Sequence, residues 1–344
     1  MKILLIRRDN IGDLVCTTPL FSALRARFPE AFLAAFVNSY NAEVLAGNPH
    51  LDSVYSYTKA KHRAPGKTAA EVYWDRLKLF WHLRRMRFDY AIIAGAHFLP
   101  RALRLARAVS PRHIIGFTEP GKAGVAHIDI AIPYTLPHPL HEVEDIFRLL
   151  APLGIEGPPG PLTVVAPPEE TARAQAALAT LGQGPVVGLH ISARKPSQRW
   201  PKERFAELAR LLVARHGVRL MLFWSPGSES NPLHPGDDEK AAWIVEATQG
   251  LPLLPWPTQR LTQLMGGLAA CDSVICSDGG AMHIAAGLGK PIVCFFGRSD
   301  PARWHPWRVP HRVLQPESRE VADVAVEEAA GAWGSLVAER LKTM

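Results

Sequence analysis

The chain has 344 residues, of which 47% are hydrophobic and 21% charged, and its formal net charge is +7. That length predicts two domains, and the composition is that of a soluble globular protein. It excludes a disordered or collagenous chain, because 26 Gly and 30 Pro fall short of the ~25–30% that marks low complexity. Clean apolar runs such as Ala31–Val37 are far shorter than the ~18 residues a membrane helix needs. Ile3–Ile6 is too short for a signal-peptide core. Cys16, Cys271, Cys276 and Cys294 form no CxxC pair, so the expected compartment is the cytoplasm.

A buried strand is predicted at Lys2–Arg7, followed by the turn Asp9–Asp13, a helix from Pro19 to Phe28 and a strand at Ala31–Val37. Helices around 69–87 and 99–108 bracket a strand at Tyr90–Ala94, and Ile114–Phe117 is a further strand. A helix is predicted over His141–Leu153, ending at Gly154. The Pro- and Gly-rich segments Gly157–Pro161 and Pro167–Pro168 then mark a domain boundary. The rhythm restarts with strands at Val186–His190, Arg219–Phe223, Ser273–Ser277 and Pro291–Phe296. Between them lie helices at Lys202–His216, Asp238–Thr248, about 261–270 and Ala281–Leu288. Alternating strands and helices predict parallel sheets covered on both faces, hence two doubly wound α/β domains, 1–160 and 161–320. Residues 321–344 are expected to form a helical tail packing back toward the first domain.

The charge is one-sided. Residues 1–150 hold 20 Lys and Arg against 13 Asp and Glu, whereas 151–344 are balanced at 19 each. The basic half suits an anionic partner, be it nucleic acid, a phosphorylated glycolipid or an anionic leaflet, or else is a solvated surface. No nucleic-acid-binding signature accompanies it.

Three segments follow strands, where open α/β sheets bind ligands. The first is Asp9-Asn-Ile-Gly-Asp13, in which Asp13 is either a functional carboxylate or a helix cap. The second is Ser277-Asp-Gly-Gly-Ala-Met-His283. Free amides at a helix start suit a diphosphate, Gly279 and Gly280 allow close backbone approach, and Asp278 caps the helix or accepts from a ribose. His283 lies in the first turn, in reach of phosphate or as a core histidine. The third, His190–Lys202, gathers Ser192, Arg194, Lys195, Ser197 and Arg199 as an anion clamp or a plain surface loop. Neither GxGxxG nor GxxxxGK[ST] is present. The acids and histidines His138, His141, Glu142, Glu144 and Asp145 lack HExxH spacing and suit an acid-rich helix start better than a metal site.

These three segments, in this order, resemble the heptosyltransferase family, glycosyltransferase family 9. The likeness runs through Ile6–Pro29, His141–Gly154, Gly188–Leu212 (with RWPKERFAELARLL) and Cys271–Trp304 (with SDGGAMHIAAGLGKPIVCFFGRSDPARW). It implies a GT-B fold of two Rossmann-like domains facing a central cleft, the first binding acceptor and the second nucleotide-sugar. It implies an inverting, metal-independent transfer, typically from ADP-heptose, to a lipopolysaccharide-core or related glycan, with no cofactor and no nucleic acid. Asp13 matches the family's general base. Asp278, Gly280 and His283 match its nucleotide motif, and Ser192, Arg194 and Gln198 fall in its phosphate loop. Gly279 replaces the usual Thr, and Gln198 a frequent Lys, leaving Lys195 or Arg199 to supply charge. Residues 225–238 look inserted, so either Glu229 or Glu239 is the ribose acid. The basic half would meet a phosphorylated glycolipid on the inner face of the inner membrane. A nucleotide-sugar epimerase and a non-catalytic anion or nucleic-acid binder are the alternatives.

Overall fold

The computed structural model describes residues 1–58, 68–134, 140–231 and 235–343. The chain divides into two compact units, Met1–Val164 and Val165–Met344.

The first unit runs β1 (Lys2–Ile6), α1 (Ile11–Cys16), α2 (Thr18–Arg27), β2 (Phe32–Asn38), β3 (Ser53–Tyr57), α3 (Ala69–Arg85), β4 (Tyr90–Ile93), α4 (Pro100–Val109), β5 (His113–Thr118), β6 (Ile130–Pro133) and α5 (Glu142–Phe147). Its sheet has the order β3-β2-β1-β4-β5-β6, every neighbour parallel. β1 (KILLI) and β2 (FLAAFVN) are buried along nearly their whole length, as strands covered on both faces must be. On one face Leu4, Ile6, Phe36 and Ile93 pack beneath Leu83, Leu103 and Ala106 of α3 and α4. The helix expected over His141–Leu153 is shorter in its α-helical part. After α5 the chain tightens into a 3₁₀ turn, Arg148–Leu153, because Pro152 offers no N–H, and Gly154 at φ 70° ends it.

The second unit repeats the winding. It runs α6 (Pro168–Ala179), β7 (Val186–His190), α7 (Lys202–His216), β8 (Arg219–Trp224), α8 (Asp238–Ala247), β9 (Leu253–Pro257), α9 (Leu261–Ala269), β10 (Ser273–Ser277), α10 (Gly280–Gly287), β11 (Ile292–Phe295), α11 (Pro301–Trp304), β12 (His311–Leu314) and α12 (Val326–Thr343). The parallel order is β12-β11-β10-β7-β8-β9. The edge strands β3, β6, β9 and β12 fall in segments for which no strand is predicted. The carboxyl-terminal helix also departs from expectation. Ala329, Ala330, Trp333 and Leu336 of α12 are buried in the second unit's own core, with α7, β11 and β12 as neighbours. Trp333 Nε1 donates to Ser273 Oγ at 2.8 Å. The apolar stripe of the helix is used where it emerges.

Each sheet reverses its winding between the first and fourth strands of its unit, β1/β4 and β7/β10. A gap opens there at the carboxyl ends of the strands, the usual place for a ligand in this architecture.

Candidate active site

In the first unit the gap is spanned by Arg7, which follows β1 and is 3% exposed. Its Nη1 donates to the Ala94 carbonyl just past β4 at 2.5 Å. Nη2 donates to Asp13 Oδ1 and to Glu142 Oε1, both at 2.8 Å, and Nε lies 3.0 Å from Asp9 Oδ2. Burial by itself would lower the guanidinium pKa. Glu142, Asp13 and Asp9 outweigh it and hold the pKa above its ordinary value. Three carboxylates thus surround one fixed cation, and their access differs: the Glu142 side chain is 3% exposed, that of Asp13 17%. Asp13 is therefore fixed yet reachable. It is a cap as well, since Oδ2 accepts the Asn10 N–H at 3.0 Å. Asn41 Nδ2 donates to the Asp9 carbonyl at 3.1 Å, and Asn38 Nδ2 donates to that of Arg8, so the turn is held from β2 and the loop after it.

Arg7 and Glu142 carry no signal that sequence reading could use. Arg7 ends an apolar run, and Glu142 is one acid among several at a helix start. The rest of that acidic group does cap the helix. His141 Nδ1 accepts from Val143 N, Glu144 accepts from His141 N, and Asp145 pairs with Arg148 at 3.0 Å. His138 lies outside the described residues. Among the described residues no group of three or more His, Cys, Asp or Glu is placed to hold a metal ion.

In the second unit the same gap is bridged by Gln198 and Asp278. Gln198, buried in the loop after β7, donates through Nε2 to Asp278 Oδ2 at 2.7 Å, and Ser299 Oγ donates to the same oxygen at 2.6 Å. Asp278 is thus oriented by two side chains and does not cap α10, whose N-cap is Gly279. Gly279 brings no side-chain cap to that helix, and first-turn amides of this kind suit a ligand oxygen. Ser299 is positioned in turn, as Gln315 Nε2 donates to the Gly297 and Ser299 carbonyls at 2.6 and 3.0 Å. Gly297 is obligatory: a Cβ there would meet the Ser197 carbonyl oxygen at 2.3 Å. Gly279 is not, because its backbone is extended at φ 160° and a Cβ would meet nothing within 4 Å. His283 is buried in the first turn of α10 with its ring edge-on to Trp304, 5.9 Å between centroids.

The 190s loop separates its cations. Arg194 and Lys195 are exposed. Arg199, expected to supply charge to an anion, turns the other way: Nε donates to Ala193 O, and Nη1 and Nη2 lie 3.7 Å from Glu229 and 3.9 Å from Asp237. Two carboxylates claim it. Ser192 Oγ accepts from Ser225 N at 2.9 Å and faces Asp237, so it leaves the Asp278 group for the β8 end. Burial raises the Asp237 pKa, against the Ser192 hydroxyl, Lys240 and Arg199. Lys240 staples the loop, donating to the Ile191 and Trp200 carbonyls at 3.0 and 2.8 Å, and burial brings its ammonium down to about 8. Glu229 and Glu239, the two candidate ribose acids, line one concavity of about 300 Å³ with Arg199 and Lys240. Asp237 and Lys240 escaped sequence reading because they read as an ordinary helix start.

Two sheets wound 3-2-1-4-5-6, each with a polar bridge at its reversal, define a chain of the GT-B fold class, the fold of its solved neighbours. The family model for glycosyltransferase family 9 (heptosyltransferase) matches residues 76–333, and the chain belongs to that family. Lipopolysaccharide heptosyltransferase 2 of Escherichia coli K12 is 27% identical over 311 residues, covering 88% of this chain and 84% of that protein. A family 9 glycosyltransferase from Veillonella parvula superposes with a TM-score of 0.80 at 20% identity, covering 98% of this chain and 97% of the other. The structure of Escherichia coli ADP-heptose LPS heptosyltransferase II gives 0.77 at 21% identity, with 99% of each chain covered. The protein is thus an enzyme, as expected, and the alternative of a non-catalytic binder is set aside.

Proposed function

We propose that this glycosyltransferase moves heptose from ADP-heptose, with inversion and without a metal, onto a lipopolysaccharide-core acceptor. The observation that carries the reading is the oriented Asp278 carboxylate, beside an uncapped helix start at the β7/β10 reversal. Family membership and the names of its relatives, which include an ADP-heptose transferase acting on lipopolysaccharide, support it. Asp278, Gly279, Gly280 and His283 are assigned to the donor's nucleotide and diphosphate, with Gln198 as orienting partner. Arg194 and Lys195 supply charge to the departing diphosphate, and Ser192 acts beside Asp237 on the nucleoside side. Electrostatic stabilisation of this kind is worth roughly 10²–10³ in rate per donor. Asp13 takes the proton of the attacking acceptor hydroxyl, and Arg7 keeps that carboxylate in place. The acceptor being lipid-anchored, the enzyme works in the cytoplasm, peripherally on the inner membrane.

Calorimetric titration with ADP, UDP and GDP tests the donor assignment. Selective ADP binding, lost in Asp278→Ala, is the expected result; selective UDP or GDP binding would change the sugar donor. A transfer assay with ADP-heptose in EDTA tests the metal assignment, full activity being expected.

A further inference from the structure

Helix α3 carries two apolar faces. Leu83 is fully buried, with Leu79 and Phe80 beside it on the core of the first unit. Trp74, Leu77 and Trp81 on the far side are 59%, 61% and 63% exposed, and Tyr73, at the flank, is 59% exposed. At 100° per residue, Trp74, Leu77 and Trp81 lie within about 60° of one another, away from Leu83. Scattered apolar residues on a surface need no explanation, but four of the eight exposed large hydrophobics among the described residues sit on this one helix.

Cations border the rings. The Arg85 guanidinium lies 4.4 Å from the Trp81 ring centroid and the Lys78 ammonium 5.6 Å from that of Trp74, while Arg84 is exposed alongside. Helix α4, packed beside α3, exposes Arg101, Arg104 and Arg107. Of the acids on α3, the Glu71 carboxylate is tied to Thr68 at the helix cap and Asp75 sits toward the edge of the exposed face.

We propose that this face of α3 docks on an anionic lipid surface, with Trp74, Leu77 and Trp81 at the headgroup boundary and Lys78, Arg84 and Arg85 on anionic headgroups. Indole and phenol rings bordered by Lys and Arg match the chemistry of that layer. Lys is depleted from the core of a protein–protein interface, and here Lys78 lies over the Trp74 ring. No helix among the described residues is long and apolar enough to cross a membrane, so α3 lies in the plane of the surface. The surface deepens the proposed function by naming how a lipid-anchored acceptor is approached. It is tested without donor or acceptor, so the two readings fail separately.

The test is co-sedimentation of the full chain with vesicles of phosphatidylcholine alone or mixed with phosphatidylglycerol, reading tryptophan emission in parallel. The expected result is salt-sensitive binding to the mixed vesicles with a blue shift. Lys78→Ala with Arg85→Ala should lower that partition about 30-fold, roughly fivefold per cation. Trp74→Ala with Trp81→Ala should abolish the blue shift, both pairs unfolding in urea at the parent's midpoint. Failure of the parent to bind mixed vesicles, or equal binding by the variants, would overturn the proposal. So would lipid-free self-association removed by the Trp pair, which would make the face a contact between copies of the chain.

Discussion

Arg7 and Glu142, 135 positions apart in sequence, meet at 2.8 Å with both side chains 3% exposed. The pair ties the end of β1 to the start of α5, and with Asp13 on the same Nη2 it couples a buried acid to a reachable one. Breaking such a pair from one side strands the other charge. Arg7→Met should therefore destabilise the first unit by about 3–5 kcal/mol, whereas Glu142→Gln, which leaves Arg7 with Asp13 and Asp9, should cost clearly less. Urea unfolding of the two variants makes the comparison.

Asp13 both caps α1 and faces Arg7, and one substitution separates the roles. Asparagine keeps an oxygen for the Asn10 N–H but loses the basic carboxylate. Asp13→Asn should lower kcat by about 10²–10⁴-fold and cost about 1–3 kcal/mol of stability, since its amide N–H replaces the oxygen that accepts from Arg7. A variant with unchanged kcat would leave Asp13 as a cap and nothing more.

The glycines of the second unit make opposite predictions. Gly279→Ser should fold as well as the parent, since its backbone is extended and the space beyond it open. Gly297→Ala places a Cβ 2.3 Å from the Ser197 carbonyl oxygen. It should cost about 1–3 kcal/mol and weaken nucleotide binding, because the shifted loop carries Ser299 away from Asp278. Melting curves and ADP calorimetry on both variants check this.

His190, at the end of β7, is brought down to about 4 by burial and by the nearby Lys240 ammonium. Between that value and its ordinary 6.5 the unfolded chain binds a proton that the native chain does not. Stability should therefore fall as pH drops from 6.5 toward 4, by an amount of order 2 kcal/mol from this group, the full shift being discounted because the residue is only half-buried. His190→Gln should flatten the urea midpoint across that window. An equal slope in parent and variant would assign the acid sensitivity elsewhere.

The eight strands predicted from sequence are the interior strands of both sheets, and the four it misses are their edges. The reason is burial. β1 and β10 are buried along nearly their whole length because both faces are covered, and their apolar runs ILLI and VIC stand out. β3 alternates between part-buried and exposed until its last residue, the buried Tyr57, β9 carries two prolines, and no residue of β6 or β12 is fully buried. Such strands read as loop until a neighbour supplies their hydrogen bonds.

The candidate site divides along the same line. The segments Asp9–Asp13, His190–Lys202 and Ser277–His283 were legible because each follows an apolar strand, and strand ends are where this architecture places its ligands. The partners within them were not. That Arg7 meets Glu142, that Gln198 and Ser299 converge on Asp278, and that Arg199 turns to Glu229 and Asp237 all depend on contacts between residues far apart in the chain. Sequence alone determined the interior strands, the loops that follow them and the family those loops resemble, because apolar runs and turn residues act locally. Tertiary structure decided which charge meets which, where α12 is buried and which face of α3 stays bare, because pairing and burial are settled only when distant segments pack.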